Sequence, residues 1–235
     1  MKTVTLAPGL TLIHGDCMEY LATLPDGAFD LAVVDPPYGI GDFNMKNHDG
    51  VRKDKWSYTW NNSIPSHDYF AQLRRTSKNR IVWGANYFNS FETSGGAIVW
   101  FKDVRHPNMS KCEIASSSFH RKVEYVRMDW SNTDKYNALR GADIHPCEKP
   151  VALYRWLLQN YAKPGQTILD THLGSGSSAI AAWEMGYTFT GIEIDKDYSD
   201  AAVERISKRL LSPYLPGIAG NEGKGQAEQV KLFCD

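Results

Sequence analysis

Cysteine is scarce in this chain of 235 residues: Cys17, Cys112, Cys147 and Cys234 are its only four, and no two form a Cys-x-x-Cys pair. That spacing argues against a disulfide framework and against a zinc site. Long apolar runs are missing as well, since nothing approaches the roughly 18 residues a membrane helix needs. The opening MKTVTLAPGL lacks the apolar core of a signal peptide, so the expectation is a cytoplasmic protein with no membrane partner. An excess of one charge is also absent, with 26 Lys+Arg against 27 Asp+Glu. Hydrophobic residues at 42% and charged residues at 23% leave an ordinary globular composition. The length suits one large α/β domain, or one core with a substantial insertion.

The balanced total conceals an asymmetry. Residues 43–145 hold 16 Lys+Arg against 10 Asp+Glu, a surplus of +6, and the remainder carries −7. A basic middle inside an acidic frame suits an anion such as a nucleic-acid backbone. From charge alone, a solvated face with scattered lysines reads the same way.

Residues 10–14 read as a strand and 18–24 as one or two helical turns. The apolar run 29–34 (FDLAVV), between Asp-Gly and Pro-Pro, reads as a buried strand. Residues 40–63 read as a long loop, followed by a helix near 66–77 and strands at 80–83 and 97–101. Across 103–143, β-favouring patches (CEIASSSF, KVEYVRM) alternate with loops. Pro150 suits the first turn of a helix running to about 161. A strand (167–170), a Gly-rich turn, a helix (177–186) and a strand (187–193) then make a βαβ unit, with a helix over 198–211 after it. This pattern predicts a parallel, doubly wound sheet. After Pro213 the chain turns Pro/Gly-rich, as a flexible tail does.

Two constellations carry chemistry. Gly174-Ser175-Gly176 lies between the strand ending at Asp170 and a helix, where a tight turn and a helix N-terminus accommodate a ligand. Glu193 ends the next strand, 19 residues after Gly174, and is placed to accept hydrogen bonds from ribose hydroxyls; Asp195 follows two residues later. Together they favour an adenosine-containing cofactor over an ordinary strand-to-helix turn. The second constellation is Asp35-Pro36-Pro37-Tyr38, closing the strand 29–34 at the end of the sheet where ligands bind. A carboxylate, a rigid carbonyl and an aromatic ring can grip a planar, amino-bearing base.

In this order, Asp-Pro-Pro-Tyr upstream and Gly loop downstream, the chain resembles the β group of circularly permuted amino DNA methyltransferases, the N6-adenine/N4-cytosine family, and among them the phage-type DNA adenine methylases. HGDCMEYLATLPDGAFDLAVVDPPYGI resembles the family's N-terminal block. HPCEKPVALYRWLLQNYAKPGQTILDTHLGSGSSAIAAWEMGYTFTGIEIDKDY resembles its C-terminal block, and IVWGANYF a stretch of its middle. The resemblance implies a Rossmann-like, S-adenosyl-L-methionine-dependent α/β fold, a doubly wound mixed sheet with a target-recognition insertion. Its implied parts are 1–39 as the catalytic half, 40–145 as middle strands plus recognition region, 146–212 as the cofactor half and 213–235 as a tail. It implies Asp35, Pro36, Pro37 and Tyr38 as catalytic. It further implies Asp16 near the cofactor adenine, Asp170, Gly174, Ser175 and Gly176 around its methionine moiety, Glu193 (with Asp195 as the alternate) on its ribose, and Lys149 near its carboxylate. No metal is implied.

One departure stands out: the family usually has Asp-Pro-Phe before the Gly loop, and here the residues are Asp170-Thr171-His172. His172 reads better as a packing substitute than as a base, and His145 as structural. The implied reaction is direct methyl transfer to the N6 amine of a flipped adenine in double-stranded DNA, with N4 of cytosine as the alternative. Asp35 favours adenine, since cytosine-directed members more often carry Ser there. Arg74, Arg75, Lys78, Arg80, Arg121, Lys122 and Arg127 are candidates for the DNA backbone, and Trp56, Tyr58 and Trp60 for stacking in the gap. A methylase of RNA or protein, a non-catalytic cofactor-binding protein and a dinucleotide oxidoreductase are the rivals. The intact tetrapeptide and the lack of a second Gly-rich fingerprint speak against the last two. Homodimerisation is undecided. Finally, Gln229, Leu232 and Phe233 resemble the peptide by which bacterial proteins dock on the DNA sliding clamp.

Overall fold

A computed structural model describes residues 1–41, 61–88, 95–102, 110–128 and 148–211. Trp56, Tyr58, Trp60, His145, the recognition segments around them and the candidate clamp peptide lie outside the described residues. One nine-stranded sheet organises the chain, in the order β1-β2-β9-β8-β3-β4-β6-β5-β7. Its strands are β1 (Lys2–Ala7), β2 (Leu10–His14), β3 (Phe29–Val34), β4 (Ser77–Trp83), β5 (Ala97–Phe101), β6 (Cys112–Ser117), β7 (Val123–Arg127), β8 (Thr167–Asp170) and β9 (Thr188–Glu193). The order β2-β9-β8-β3-β4 is parallel throughout. β1 is antiparallel to β2, and β6 is antiparallel to both β4 and β5. The sheet is therefore mixed, as expected.

Helices α1 (Cys17–Ala22) and α2 (His67–Thr76) cover one face. The short α3 (Ala85–Phe88) follows β4, and α4 (Val151–Tyr161), α5 (Ser177–Glu184) and α6 (Lys196–Leu210) cover the other face. β3 shows why the sheet is buried on both sides. Its alternate residues serve two cores, Leu31 and Val33 under α4–α6, Ala32 and Val34 under α1 and α2, all at most 1% exposed. Burying such side chains contributes roughly 1.5–3 kcal/mol each, and an uninterrupted apolar run is the signature of a central parallel strand.

The sequence-based elements from 29 onward recur with boundaries shifted by a few residues. β4 begins at Ser77, not 80, because Phe29 pairs directly with Ser77. Two elements went unforeseen. β1 is a polar, largely exposed strand held by pairing with β2, and α3 is a single turn. No described helix is long and apolar enough to cross a membrane.

Topology fixes where a ligand can bind. β8 leads through α5 to β9 on one side, while β3 leads through α2 to β4 on the other. The chain thus departs in opposite directions from the adjacent pair β8 and β3. Such a switch point leaves a crevice outside the carboxyl ends of the two strands.

Candidate active site

An open cleft of about 600 Å³ lies at that switch point. Asp35 and Pro37, just beyond β3, form one wall, and Leu173, Gly174 and Ser175, just beyond β8, form another. Glu193 and Ile194 close it from the end of β9, and Glu148 and Lys149 enter ahead of α4. The two constellations, more than a hundred residues apart in sequence, thus face a single cavity.

The Gly loop is built from beneath. Asp170 is 1% exposed, and its carboxylate accepts from His172 N at 3.0 Å and Ser178 Oγ at 2.6 Å. Burial raises its pKa to about 7 against those two donors. Gly176 caps α5 at φ +80°, and a Cβ there would come within 2.8 Å of Ile206 on α6. This glycine therefore serves the packing of the loop on α6. Arg205, also on α6, donates to Ser175 O at 2.9 Å and pairs with Glu148 at 2.7 Å.

Glu193 orders the end of the cleft beyond β9. Its Oε2 accepts from Gly174 N at 2.8 Å and its Oε1 from Asp195 N at 3.0 Å, while burial raises its pKa. Asp195 caps α6, accepting from Asp197 N and Tyr198 N, and Asp16 caps α1, accepting from Met18 N at 2.8 Å. Asp16 stands one residue beyond the end of β2, and the intervening Gly15 N donates to Glu193 O at 2.9 Å, so Asp16 stands beside the Glu193 end of the cleft. Glu193 keeps acceptor capacity beyond its backbone donors Gly174, Asp195 and Ile194, as a carboxylate offers about four sites. An adenosine ribose fits that donor–acceptor set.

His172 lines the cleft and stands edge-on to Tyr69, with ring centroids 5.3 Å apart. Its Nδ1 lies 3.0 Å from Thr171 Oγ1, which is 2.7 Å from Tyr69 Oη. Burial holds the imidazole down at about 4, so it is neutral at pH 7. The expected packing role agrees with this placement, with an added hydrogen-bonded chain.

At the other wall, the tetrapeptide is tied into charged neighbours. Asp35 Oδ1 accepts from the Tyr38 hydroxyl at 2.6 Å, and Oδ2 is ion-paired with Lys149. Lys149 Nζ also contacts Glu113 Oε2 at 3.0 Å and donates to Tyr38 Oη at 3.0 Å. Glu113 Oε1 accepts from Lys102 Nζ at 2.7 Å. Burial drives the Asp35 pKa up against the pull of Lys149. For Glu113 burial acts the same way, yet the two ammonium groups outweigh it and hold its pKa at about 2. Lys149, a candidate for the cofactor carboxylate, lines the cleft with its ammonium against Asp35, Glu113 and Tyr38.

Tyr38 does not present a bare ring. It stacks on Tyr87 (centroids 4.8 Å apart, planes 15° apart), and Phe88 meets it edge-on. It also crosses Gly84, where a Cβ would intrude to 2.2 Å from Cε1. Gly84, at φ +75°, ends β4 in the IVWGANYF stretch, so that stretch supplies the seat of the tetrapeptide's ring.

Glu113 and Lys102 escaped the sequence reading. Both lie inside the stretch 40–145 read as middle strands plus recognition region, and no motif marks them. The antiparallel course of β6, which starts at the cleft end beside Trp100, brings in Glu113, and the carboxyl end of β5 brings in Lys102. The basic surface fares differently. Lys78 and Lys122 pair with Asp30 and Glu124, and Arg75 is spent on Leu21 O, Leu24 O and Asp26. These three, with Arg74, Arg80 and Arg121, lie near the amino ends of β4 and β7, opposite the cleft; only Arg127 is at the cleft end. They do not form the expected DNA-backbone surface around the site.

Comparison with known proteins places this arrangement. The model of the N6/N4 methyltransferase family, described as DNA methylase, matches residues 40–204. A protein of Escherichia coli (strain K12) named as a methylase, YubD, is 28% identical over 217 residues, covering 83% of this chain and 89% of its own length. The type II methyltransferase M.HinfI of Haemophilus influenzae is 25% identical over 253 residues, covering 86% and 70%. Among solved structures, the M1.HpyAVI–SAM complex aligns with a TM-score of 0.52 at 18% identity, over 83% of this chain and 98% of that one. The cytosine-N4-specific PvuII DNA methyltransferase aligns with a TM-score of 0.53 at 14% identity, over 85% and 92%.

Proposed function

The chain belongs to the N6/N4 DNA methylase family, and from that premise we propose that it methylates the N6 amine of adenine in double-stranded DNA, using S-adenosyl-L-methionine. One observation carries the reading: Asp35 of the tetrapeptide and Glu193 of the βαβ unit line the same cleft. The cofactor, when bound, supplies an activated methyl group on a sulfonium. Glu193 is placed to receive the ribose hydroxyls, and the loop 173–175 forms the floor on which the rest of the cofactor lies.

Asp35 and the Pro36 carbonyl are the acceptors for the two amine hydrogens. Drawing both hydrogens to one side favours a pyramidal nitrogen, whose lone pair then points into the cleft toward the cofactor end. Two of the acceptor sites on Asp35 are taken, by Tyr38 and Lys149, and a carboxylate has about two more. Because one face of Tyr38 rests on Tyr87, a flipped base has at most the other face, or the edge of the pair, to pack against.

Adenine is favoured over cytosine by the acid at position 35. The test is mass spectrometry of nucleosides from unmethylated genomic DNA treated with the protein and cofactor. N6-methyladenine is expected; N4-methylcytosine alone would transfer the reading to cytosine, and neither would refute it.

A further inference from the structure

Lys102, Glu113, Lys149 and Asp35 form an alternating chain of charges across the cleft end of β5, β6 and β3. The Lys149 side chain is 4% exposed and lies 5.4 Å from the Trp83 ring centroid and 5.5 Å from that of Tyr38. A Lys149–Asp35 pair alone would already be neutral. A second pair, its side chains only 9% and 21% exposed, adds a further desolvation cost, so neutrality does not explain Glu113 and Lys102. Geometry does. Without Glu113, the ammonium on its flexible stem is free to settle wholly on Asp35 and cover the acceptor edge that the target amine must reach.

We propose that Glu113, backed by Lys102, is a positioning residue for methyl transfer, drawing Lys149 to one side so that the Asp35 carboxylate keeps an open acceptor toward the cleft. The proposal rests on the reading of Asp35 as the group that receives the amine. It predicts how charge changes at a distance act on Asp35. The groups that bear on Asp35 are Lys149 and Tyr38 in contact and Glu113 through its charge, with Asp170, Tyr69 and Tyr154 farther off. The last three are unchanged among the variants below. Removing the Glu113 charge leaves the full field of Lys149 on Asp35, so its carboxyl titrates at lower pH. Removing Lys102 tightens the hold of Glu113 on Lys149, so Asp35 titrates at higher pH.

The experiment pairs two readouts on the full chain. Carbon-13 NMR follows the Asp35 carboxyl through a pH titration, its resonance identified by its loss in Asp35→Asn. Single-turnover methyl transfer to unmethylated genomic DNA gives rate and half-saturation separately. Glu113→Gln should slow transfer at least tenfold with half-saturation for DNA and cofactor within twofold, and should move the Asp35 titration down. Lys102→Met should move it up, and the double variant should be no slower than Glu113→Gln alone. A wild-type rate or an unmoved titration in Glu113→Gln overturns the proposal. Should that variant not fold, an unmoved titration in Lys102→Met overturns it equally. A wild-type chain that transfers no methyl group refutes the methylase reading and the proposal with it, whereas equal transfer by wild type and Glu113→Gln refutes the proposal alone.

Discussion

Glu193 uses one carboxylate for two tasks. Its contacts with Gly174 N and Asp195 N join the Gly loop to the start of α6, and the residue also lines the cleft. Glu193→Ala should therefore weaken cofactor binding by about 1–3 kcal/mol, the scale of hydrogen bonds to a charged group, as read by calorimetry. Glu193→Gln, which keeps one acceptor oxygen, should lose less. Unchanged affinity in both would remove Glu193 from the cofactor site. This residue was legible in the sequence because strand, turn, helix and acid recur at a fixed spacing. Glu113 was not. A lone glutamate in a β-favouring patch has no local signature, and its meaning depends on lysines 11 residues before it and 36 after it.

At the scale of elements, apolar patterning revealed most strands and helices, since their burial follows the period of the chain. β1 was missed because its burial is slight and its stability comes from pairing with β2. The glycines illustrate a subtler shortfall. Gly176 suggests close approach to a ligand, and the structure adds that a Cβ there would meet Ile206, a helix contact that no local pattern encodes. α6 reaches the Gly loop a second time through Arg205, whose partner Glu148 has a side chain only 5% exposed. Arg205→Leu takes the buried cation away from that carboxylate, which keeps Ser177 Oγ as a donor at 3.4 Å, and from the Ser175 carbonyl. It should cost about 3–5 kcal/mol, the usual penalty for breaking a buried pair from one side, measured by urea unfolding. The Arg205→Leu/Glu148→Gln double variant should recover part of the loss. A cost under about 1 kcal/mol would mean that the pair behaves like an exposed one.

On the scale of the whole molecule, the sheet separates functions by end. Strands β3, β8 and β9 deliver the tetrapeptide, the Gly loop and Glu193 to their carboxyl ends, and β6 runs backwards to add Glu113 there. Net charge by segment did not foresee this division, because counting residues along the chain ignores which end of a strand they occupy. The account stands on the claim that this end holds two separable sites, one for the methyl donor and one for the target amine. Asp35→Ala tests it most directly, with methyl incorporation into DNA and cofactor affinity measured on the same preparation. The account predicts that incorporation falls about 100-fold or more, the scale of losing a group aimed at the reacting atoms, while the cofactor Kd stays within a few-fold of wild type. Incorporation within a few-fold of wild type, or a cofactor affinity lost together with activity, would contradict it.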